Sequence, residues 1–460
     1  MGFFKAYDMR GTYGVDFDLA TVYEVGKALV EVVGGKRWLV GRDCRVTSAD
    51  VHDALTEGLR EAGAEVTDIG LCTTPMVYFF TAEDSFDGSV MVTASHNPPT
   101  DNGLKVSKRG ALPVGYADGL DKVEALVAER LSGADRKAYK PSPADPADNS
   151  QYLKRYVEWM RSRGGDIPSS LKYAVDCSNG MSSLLVKDLF PGAVVINDVL
   201  DGRFPNHSPN PLKAEAREQL ADLVREKSLD FGIIFDGDAD RAMFVDERGE
   251  FIQPDYLTPF VARATFDALG IAPAGEKIIY DVRTSRGSIE NLAEMGCEGL
   301  MVPVGHAFAK PILRETGAVC GGELAGHYYF REFFGCDSGV LAALRILQCV
   351  AKAASEGRRA SEMVAKVNSR YANSGELNFR VDDKDAAIAR ALDAASRGLP
   401  PELSRTGIDG VRVEYAEGWI NIRKSNTEPY LRLIAEADTK ERLGAWVSVL
   451  TRAVEERRGA

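Results

Sequence analysis

Residues 232–244, Gly-Ile-Ile-Phe-Asp-Gly-Asp-Ala-Asp-Arg-Ala-Met-Phe, set three carboxylates and an arginine between two apolar runs. Phe231 to Phe235 leads in and Ala242 to Val245 leads out, so the acidic stretch reads as a loop joining two buried strands. Asp236, Asp238 and Asp240 concentrate hard oxygen donors suited to Mg²⁺ or another hard divalent cation. Arg241, directly after them, suits a phosphate touched by the same cation. A calcium-binding EF-hand loop also opens Asp-x-Asp-x-Asp, and Glu247 falls at its last ligand position. Arg241 stands where that loop needs glycine, and the flanks read as strands rather than helices. A solvated acidic loop is the bland alternative, and apolar strands on both sides argue against it.

A second feature lies upstream. Ser89 to Val92 reads as a buried strand, and the chain then turns through Thr93-Ala94-Ser95-His96-Asn97-Pro98-Pro99. The prolines stop a helix or ladder from continuing, which leaves Ser95 on a stiff loop at a strand end with His96 beside it. Such a serine is a nucleophile, a phosphate carrier or a turn residue, and read alone the pair favours the turn.

The net charge of −12 argues against nucleic acid or an anionic membrane as a general partner, so an anionic ligand needs a local cluster of cations. Seven cysteines show neither metal-ligand spacing nor a disulfide pattern, as expected of reduced thiols in the cytoplasm. No apolar run approaches the ~20 residues that span a bilayer, and the first residues carry no targeting signal.

The chain alternates predicted strands and helices. Strands are expected at Arg37–Gly41, Glu65–Gly70, Ser89–Ala94, Leu171–Asp176, Phe231–Phe235 and Lys277–Asp281. Helices are expected at Ala49–Ala62, Gln151–Arg163, Ser182–Leu189, Lys213–Glu226, Ser288–Met295 and Ser338–Ala354. That rhythm predicts mainly parallel sheets. Tyr173–Asp176 and Ile278–Asp281 look like corresponding strands of related units, Lys140–Ser150 has linker composition, and Asn368–Gly375 lacks periodicity and suits a hinge.

Two further loops complete a set. Gly322-Glu323-Leu324-Ala325-Gly326-His327 offers one acid among glycines that admit a close ligand. Arg423-Lys424-Ser425-Asn426-Thr427-Glu428-Pro429 follows the strand-like Trp419–Ile422 with a guanidinium, two hydroxyls and an amide, donors fit for a phosphate. Alone, each is an ordinary turn. Together with Thr93–Pro98 and Asp236–Arg241, in this order, they resemble the four signature loops of the α-D-phosphohexomutases. The resemblance runs from Phe4–Gly11 to Leu431–Leu433.

The resemblance implies three similar mixed-sheet α/β domains (residues 1–146, 147–250 and 251–367) and a smaller C-terminal α+β domain (368–460) around a central cleft. It implies an enzyme that interconverts hexose 6-phosphate and hexose 1-phosphate, with mannose favoured and glucose also accepted. Ser95 would carry phosphate, Ser95 with Asp236, Asp238 and Asp240 would hold Mg²⁺, and a hexose 1,6-bisphosphate would be activator and intermediate. His96, Lys105, Arg241 and His306 are the further catalytic candidates. Tyr7, Arg10, Arg283, Lys310, Glu323, Leu324, Ala325, Gly326, His327, Arg423, Ser425, Asn426 and Thr427 are the substrate-binding candidates. Many members of the family carry serine where this chain has Ala325, and His327 with the following Tyr328–Glu332 is most like the phosphomannomutase branch. Small sugar phosphates are the expected partners, with the protein a monomer or dimer that supplies precursors of nucleotide sugars. The alternatives are a phosphoglucosamine mutase, a silent sugar-phosphate sensor, or an aspartyl-phosphate phosphatase using Asp236.

Overall fold

The computed structural model describes residues 2–132, 147–425 and 429–456. Its first sheet contains β1 (Met9–Thr12), β2 (Arg37–Arg42), β3 (Glu65–Leu71), β4 (Gly88–Val92) and β5 (Asp101–Lys108), in the order β1-β5-β4-β2-β3. The short β6 (Leu112–Pro113) sits beside β5. The second holds β7 (Tyr173–Asp176), β8 (Val194–Ile196), β9 (Phe231–Phe235), β10 (Ala242–Asp246) and β11 (Phe251–Ile252), in the order β11-β10-β9-β7-β8. The third holds β12 (Lys277–Asp281), β13 (Glu298–Val302), β14 (Cys320–Gly322), β15 (Tyr328–Phe330) and β16 (Cys336–Asp337), in the order β13-β12-β14-β15-β16.

These three sheets share one plan. Three strands run parallel (β3-β2-β4, β8-β7-β9, β13-β12-β14), and two antiparallel strands extend each sheet on one side. The expectation of mainly parallel sheets is therefore corrected to mixed ones. A parallel crossover needs about a dozen residues, and the connections at residues 93–100, 236–241 and 323–327 are shorter than that. Each must turn straight back as a hairpin.

The fourth sheet is antiparallel throughout. It contains β17 (Ala372–Asn373), β18 (Leu377–Phe379), β19 (Glu402–Thr406), β20 (Val411–Tyr415), β21 (Gly418–Lys424) and β22 (Leu431–Ala437), and it is accompanied by helices Lys384–Gly398 and Lys440–Glu455. The molecule thus comprises three similar mixed-sheet α/β units and a smaller α+β unit around a cleft.

One apolar core runs through the first three units. It collects Met76, Phe79 and Phe80 from helix Thr74–Glu83, Ile233 and Phe244 from the second sheet, and Leu341, Leu344 and Leu347 from helix Gly339–Ser355. That last helix is apolar nearly all round because it packs on helices Ser150–Gly164 and Thr258–Leu269. Ser338 caps it, accepting from Leu341 N at 3.1 Å. The fourth unit has its own core around Ile420, Leu433 and Leu450. Leu324 packs with Trp419 and Ile434, joining the third unit to the fourth.

Most expected elements lie where the periodicity puts them. The helix expected at Ser182–Leu189 is instead a 3₁₀ turn, Met181–Leu184, followed by a single α-turn, Val186–Leu189. Ser182, Ser183 and the adjoining Asn179 and Gly180 make a poor continuous helix. The Lys140–Ser150 stretch lies mostly outside the described residues, and its end, Ser150, starts a helix.

Candidate active site

All four signature loops are hairpin connections: β4–β5, β9–β10, β14–β15 and β21–β22. Each follows a central strand of its sheet, and the first three meet, Ser95 reaching Asp236 at 2.8 Å and Arg241 reaching His327 at 3.0 Å.

Ser95 follows β4 with φ near +49°, a left-handed conformation that costs a non-glycine residue about 1–2 kcal/mol. Three contacts hold it there. Its amide donates to Thr93 Oγ1 at 2.9 Å, its carbonyl accepts from Arg45 Nη2 at 2.8 Å, and its Oγ donates to Asp236 Oδ2 at 2.8 Å. His96 Nδ1 lies 3.2 Å from the same Oγ. Burial, then Arg241 and Arg10, push the His96 imidazole well below its usual range, so the ring is neutral at pH 7. Arg10 donates to Asn97 Oδ1 at 3.1 Å and to Asp8 Oδ2 at 2.6 Å. The two loops approach so closely that a Cβ on Gly237 would sit 2.6 Å from the Ser95 carbonyl oxygen. Only glycine fits there.

Asp236, Asp238 and Asp240 are fully buried, with one oxygen of each within 4.8 Å of the others. Burial, then Asp240 and Asp238, push Asp236 far above the usual carboxylate range. Lys105 Nζ reaches Asp238 Oδ2 at 2.7 Å and Asp240 Oδ2 at 2.6 Å. Burial alone would lower the Lys105 amine; the two aspartates raise it above its ordinary value, so it stays cationic. Among the described residues, Asp238 Oδ1 and Asp240 Oδ1 are buried and accept no hydrogen bond. Buried acceptors without partners are costly, and an oxygen-liganded divalent cation would satisfy both. The donor set fits such an ion, with Ser95 Oγ adjacent as a further ligand.

The third loop meets the second edge to edge. Ala242 N donates to Gly326 O at 3.2 Å, and Arg241 forms an isolated bridge with His327. Arg241 Nε donates to His327 Nε2 at 3.0 Å, which leaves the ring proton on Nδ1, 2.8 Å from Asp337 Oδ2. Lys310 does not open toward the cleft: its Nζ is 2.7 Å from Asp337 Oδ1 and 3.6 Å from the Tyr78 ring centroid. Glu323 Oε1 accepts from Gly305 N at 3.2 Å, and Leu324 N donates to Asp281 Oδ2 at 2.9 Å. The ring of His306 lies 5.8 Å from that of His327 and 6.1 Å from that of Tyr7. His306 Nδ1 is buried and has no hydrogen-bond partner among the described residues. Ala325, half-buried, carries no hydroxyl into this loop.

Arg423, at the start of the fourth loop, belongs to a cluster of guanidiniums. Arg283 is held by Asp281 at 2.7 Å, and Arg283 Nη1, Arg423 Nη2 and Arg432 Nη1 converge on Glu376 at 3.4, 2.9 and 2.9 Å. Ser425 N donates to Tyr430 O at 2.9 Å. Asn426 and Thr427 lie outside the described residues.

Five residues of this site escape a reading of motifs: Arg45, Asp281, Asp337, Glu376 and Arg432. Arg45 is the most consequential, donating to the carbonyls of Ser95, Asn97, Pro98 and Asp101. A signal existed in the internal repeat. Asp43-Cys44-Arg45 comes directly after β2, Asp281-Val282-Arg283 begins on the last residue of β12, and Asp176 is the last residue of β7. In each unit this aspartate's Oδ1 accepts from the amide two residues on, Arg45, Ser178 or Arg283, at 2.9, 2.8 and 2.7 Å.

A buried serine against a carboxylate cluster, with Lys105 and Arg241 held on the same carboxylates, is an arrangement suited to phosphoryl chemistry. The chain matches the phosphoglucomutase/phosphomannomutase models for α/β/α domains I, II and III over residues 1–132, 150–249 and 253–371, and that for the C-terminal domain over 376–452. It is 37% identical over 438 residues to phosphohexose mutases of Xanthomonas campestris pv. campestris, covering 94% of both chains. It is 35% identical over 454 residues to a phosphomannomutase of Escherichia coli, covering 95% of both. A crystal structure of a phosphoglucomutase/phosphomannomutase family protein from Burkholderia thailandensis superposes with a TM-score of 0.81 at 31% identity, over 99% of this chain and 97% of that one. The chain belongs to the phosphoglucomutase/phosphomannomutase family of phosphohexomutases. Among the described residues no helix is long and apolar enough to cross a membrane.

Proposed function

We propose that this enzyme moves a phosphoryl group between the 1- and 6-positions of a hexose, with mannose phosphates preferred and glucose phosphates also turned over. Phosphoserine at Ser95 and a hexose 1,6-bisphosphate would be the two carriers. The observation that carries this reading is the Ser95 hydroxyl, buried in a strained turn and hydrogen-bonded to Asp236 at 2.8 Å. Asp236, Asp238 and Asp240 would hold Mg²⁺, which when bound supplies positive charge to the transferring group.

The residues of the chain divide the remaining work. Phosphorylated Ser95 passes its phosphoryl group to the free hydroxyl of the sugar, whose proton leaves to a neutral base nearby while the departing Ser95 Oγ takes up a proton. The bisphosphate turns over, Ser95 Oγ gives its proton to a neighbouring base as it takes the other phosphoryl group, and the sugar oxygen left behind is reprotonated. His96 at 3.2 Å and the neutral ring of His306 support these proton transfers. Lys105, held cationic, and Arg241 offset charge on the transferring group. Glu323 would accept from vicinal sugar hydroxyls. Arg423 with Ser425, Asn426 and Thr427 would hold the phosphate that is not reacting, with Arg283 beside them. The naming of the Escherichia coli relative as a phosphomannomutase supports the mannose preference, and seven unpaired cysteines suit a cytoplasmic setting.

Ser95→Ala should lose nearly all mutase turnover yet keep sugar-phosphate binding, and peptide mass spectrometry should find phosphate on Ser95 of the active protein. More than a few percent residual activity would remove Ser95 as obligatory carrier. Comparing kcat/KM for mannose, glucose and glucosamine 1-phosphates, with catalytic bisphosphate, decides the sugar.

A further inference from the structure

Glu376 does not belong to any signature loop, yet it sits at the centre of the cationic cluster. It lies just before β18, and its two carboxylate oxygens accept from guanidiniums of two units. Oε1 takes Arg283 Nη1 at 3.4 Å and Arg423 Nη2 at 2.9 Å, and Oε2 takes Arg432 Nη1 at 2.9 Å. Arg423 and Arg432 are register partners on β21 and β22, so one carboxylate spans a cross-strand pair and reaches the neighbouring unit. Several guanidiniums on one small planar anion is also the arrangement that receives a phosphate.

Among the described residues, Arg283, Arg423 and Arg432 pair with Asp281, Asp409 and Glu376, and Arg283 also feels the charge of Glu323. Asp281 is wholly buried and bound to the amides of Arg283 and Leu324, so it is not free to move. Asp409 is 3.8 Å from Arg423 and accepts from Val304 N. Among the described residues, Glu376 alone touches all three guanidiniums, and it keeps partial exposure. Burial alone would push its carboxyl up, but Arg283, Arg423 and Arg432 hold it down to about 2, so it is ionised whenever the enzyme works.

We propose that Glu376 is an internal anion of the phosphate cradle: it holds Arg283, Arg423 and Arg432 together before ligand binds, and competes with the phosphate dianion so that the dianion can leave. The proposal rests on the reading of the Arg423 loop as the cradle. An enzyme that must release and rebind a bisphosphate end for end is slowed by a cradle that grips too tightly. A resident carboxylate keeps the grip reversible.

The test is calorimetric titration of inorganic phosphate at low ionic strength into wild type, Glu376→Gln, Glu376→Ala and Arg423→Ala, with steady-state kinetics in parallel. Glu376→Gln keeps an acceptor for the arginines and removes only the charge. It should bind phosphate about tenfold more tightly, with KM and kcat falling together, and Glu376→Ala should shift the same way if either variant folds poorly. Arg423→Ala should bind phosphate more weakly than wild type. Unchanged or weaker phosphate binding in the folded Glu376 variants, while Arg423→Ala still weakens it, overturns the competition and leaves Glu376 as a fastener. If Arg423→Ala leaves phosphate binding unaltered, the cradle reading fails and the proposal with it.

Discussion

Arg45 offers the most direct trial of how the serine loop is held. Its guanidinium donates to the carbonyls of Ser95, Asn97, Pro98 and Asp101 at 2.8, 2.7, 2.7 and 2.9 Å, pairs with Asp43 at 3.2 Å and stacks 5.0 Å from the Phe204 ring centroid. Arg45→Met removes those donors and strands Asp43, which burial already pushes above its usual range. Removing one partner of a buried ion pair costs roughly 3–5 kcal/mol, so the transition that includes the first unit should lie several degrees lower. The catalytic effect should be larger than the binding effect. A serine misplaced by ~1 Å loses about 100-fold in rate, while KM should hardly move, because Arg45 faces the loop backbone and not the sugar loops. Arg45→Lys returns the charge to Asp43 but offers three donors without the planar fork. It should therefore recover much of the melting temperature and little of kcat. Differential scanning calorimetry and turnover on the same samples separate the two. The reasoning is refuted if Arg45→Met keeps wild-type kcat despite its lower stability, or if Arg45→Lys restores kcat in full.

Exhaustive chelation should abolish turnover and Mg²⁺ should restore it, with Asp238→Asn needing more Mg²⁺ for half-maximal rate, since an amide is a poorer hard ligand; activity that survives the chelator would take the cation out of the mechanism. Asp255, buried beneath the third unit, is pushed up to about 7 by burial, against the pull of Ser285 N and Gln253. A carboxyl raised in the fold lends stability that is complete below its unfolded value and is lost as pH rises through about 7. The gap between Asp255→Asn and wild type should therefore widen in the variant's favour from about pH 4 to pH 8, by at most ~4 kcal/mol. A gap that stays flat across denaturation curves at those pH values would show that Asp255 does not titrate there.

The strands and helices were legible because apolar periodicity survives in each segment, as in Phe231–Phe235 and the helix at Gly339–Ser355. Strand direction was less so: alternation suggests parallel pairing, while loop length makes β5, β10 and β15 turn back. The acidic loop announced itself because Asp236, Asp238 and Asp240 are neighbours in sequence. Arg45, Asp337 and Glu376 stayed hidden for the opposite reason. Arg45 meets Asp101 across 56 positions and Glu376 meets Arg283 across 93, and a single arginine or glutamate carries no local pattern. Lys310 shows the converse. Its place near the ligand loops is readable, but whether its amine faces sugar or Asp337 depends on packing against Tyr78.

The contacts that join the loops follow the order of the chain. Ser95 reaches Asp236, Arg241 reaches His327, and Arg283 reaches Glu376 and thence Arg423. Among the described residues, each of these contacts joins a loop to the unit next in sequence. On the ribosome, each newly emerged unit can therefore lock onto the one made before it, and the constellation fills from the nucleophile end toward the last phosphate contact.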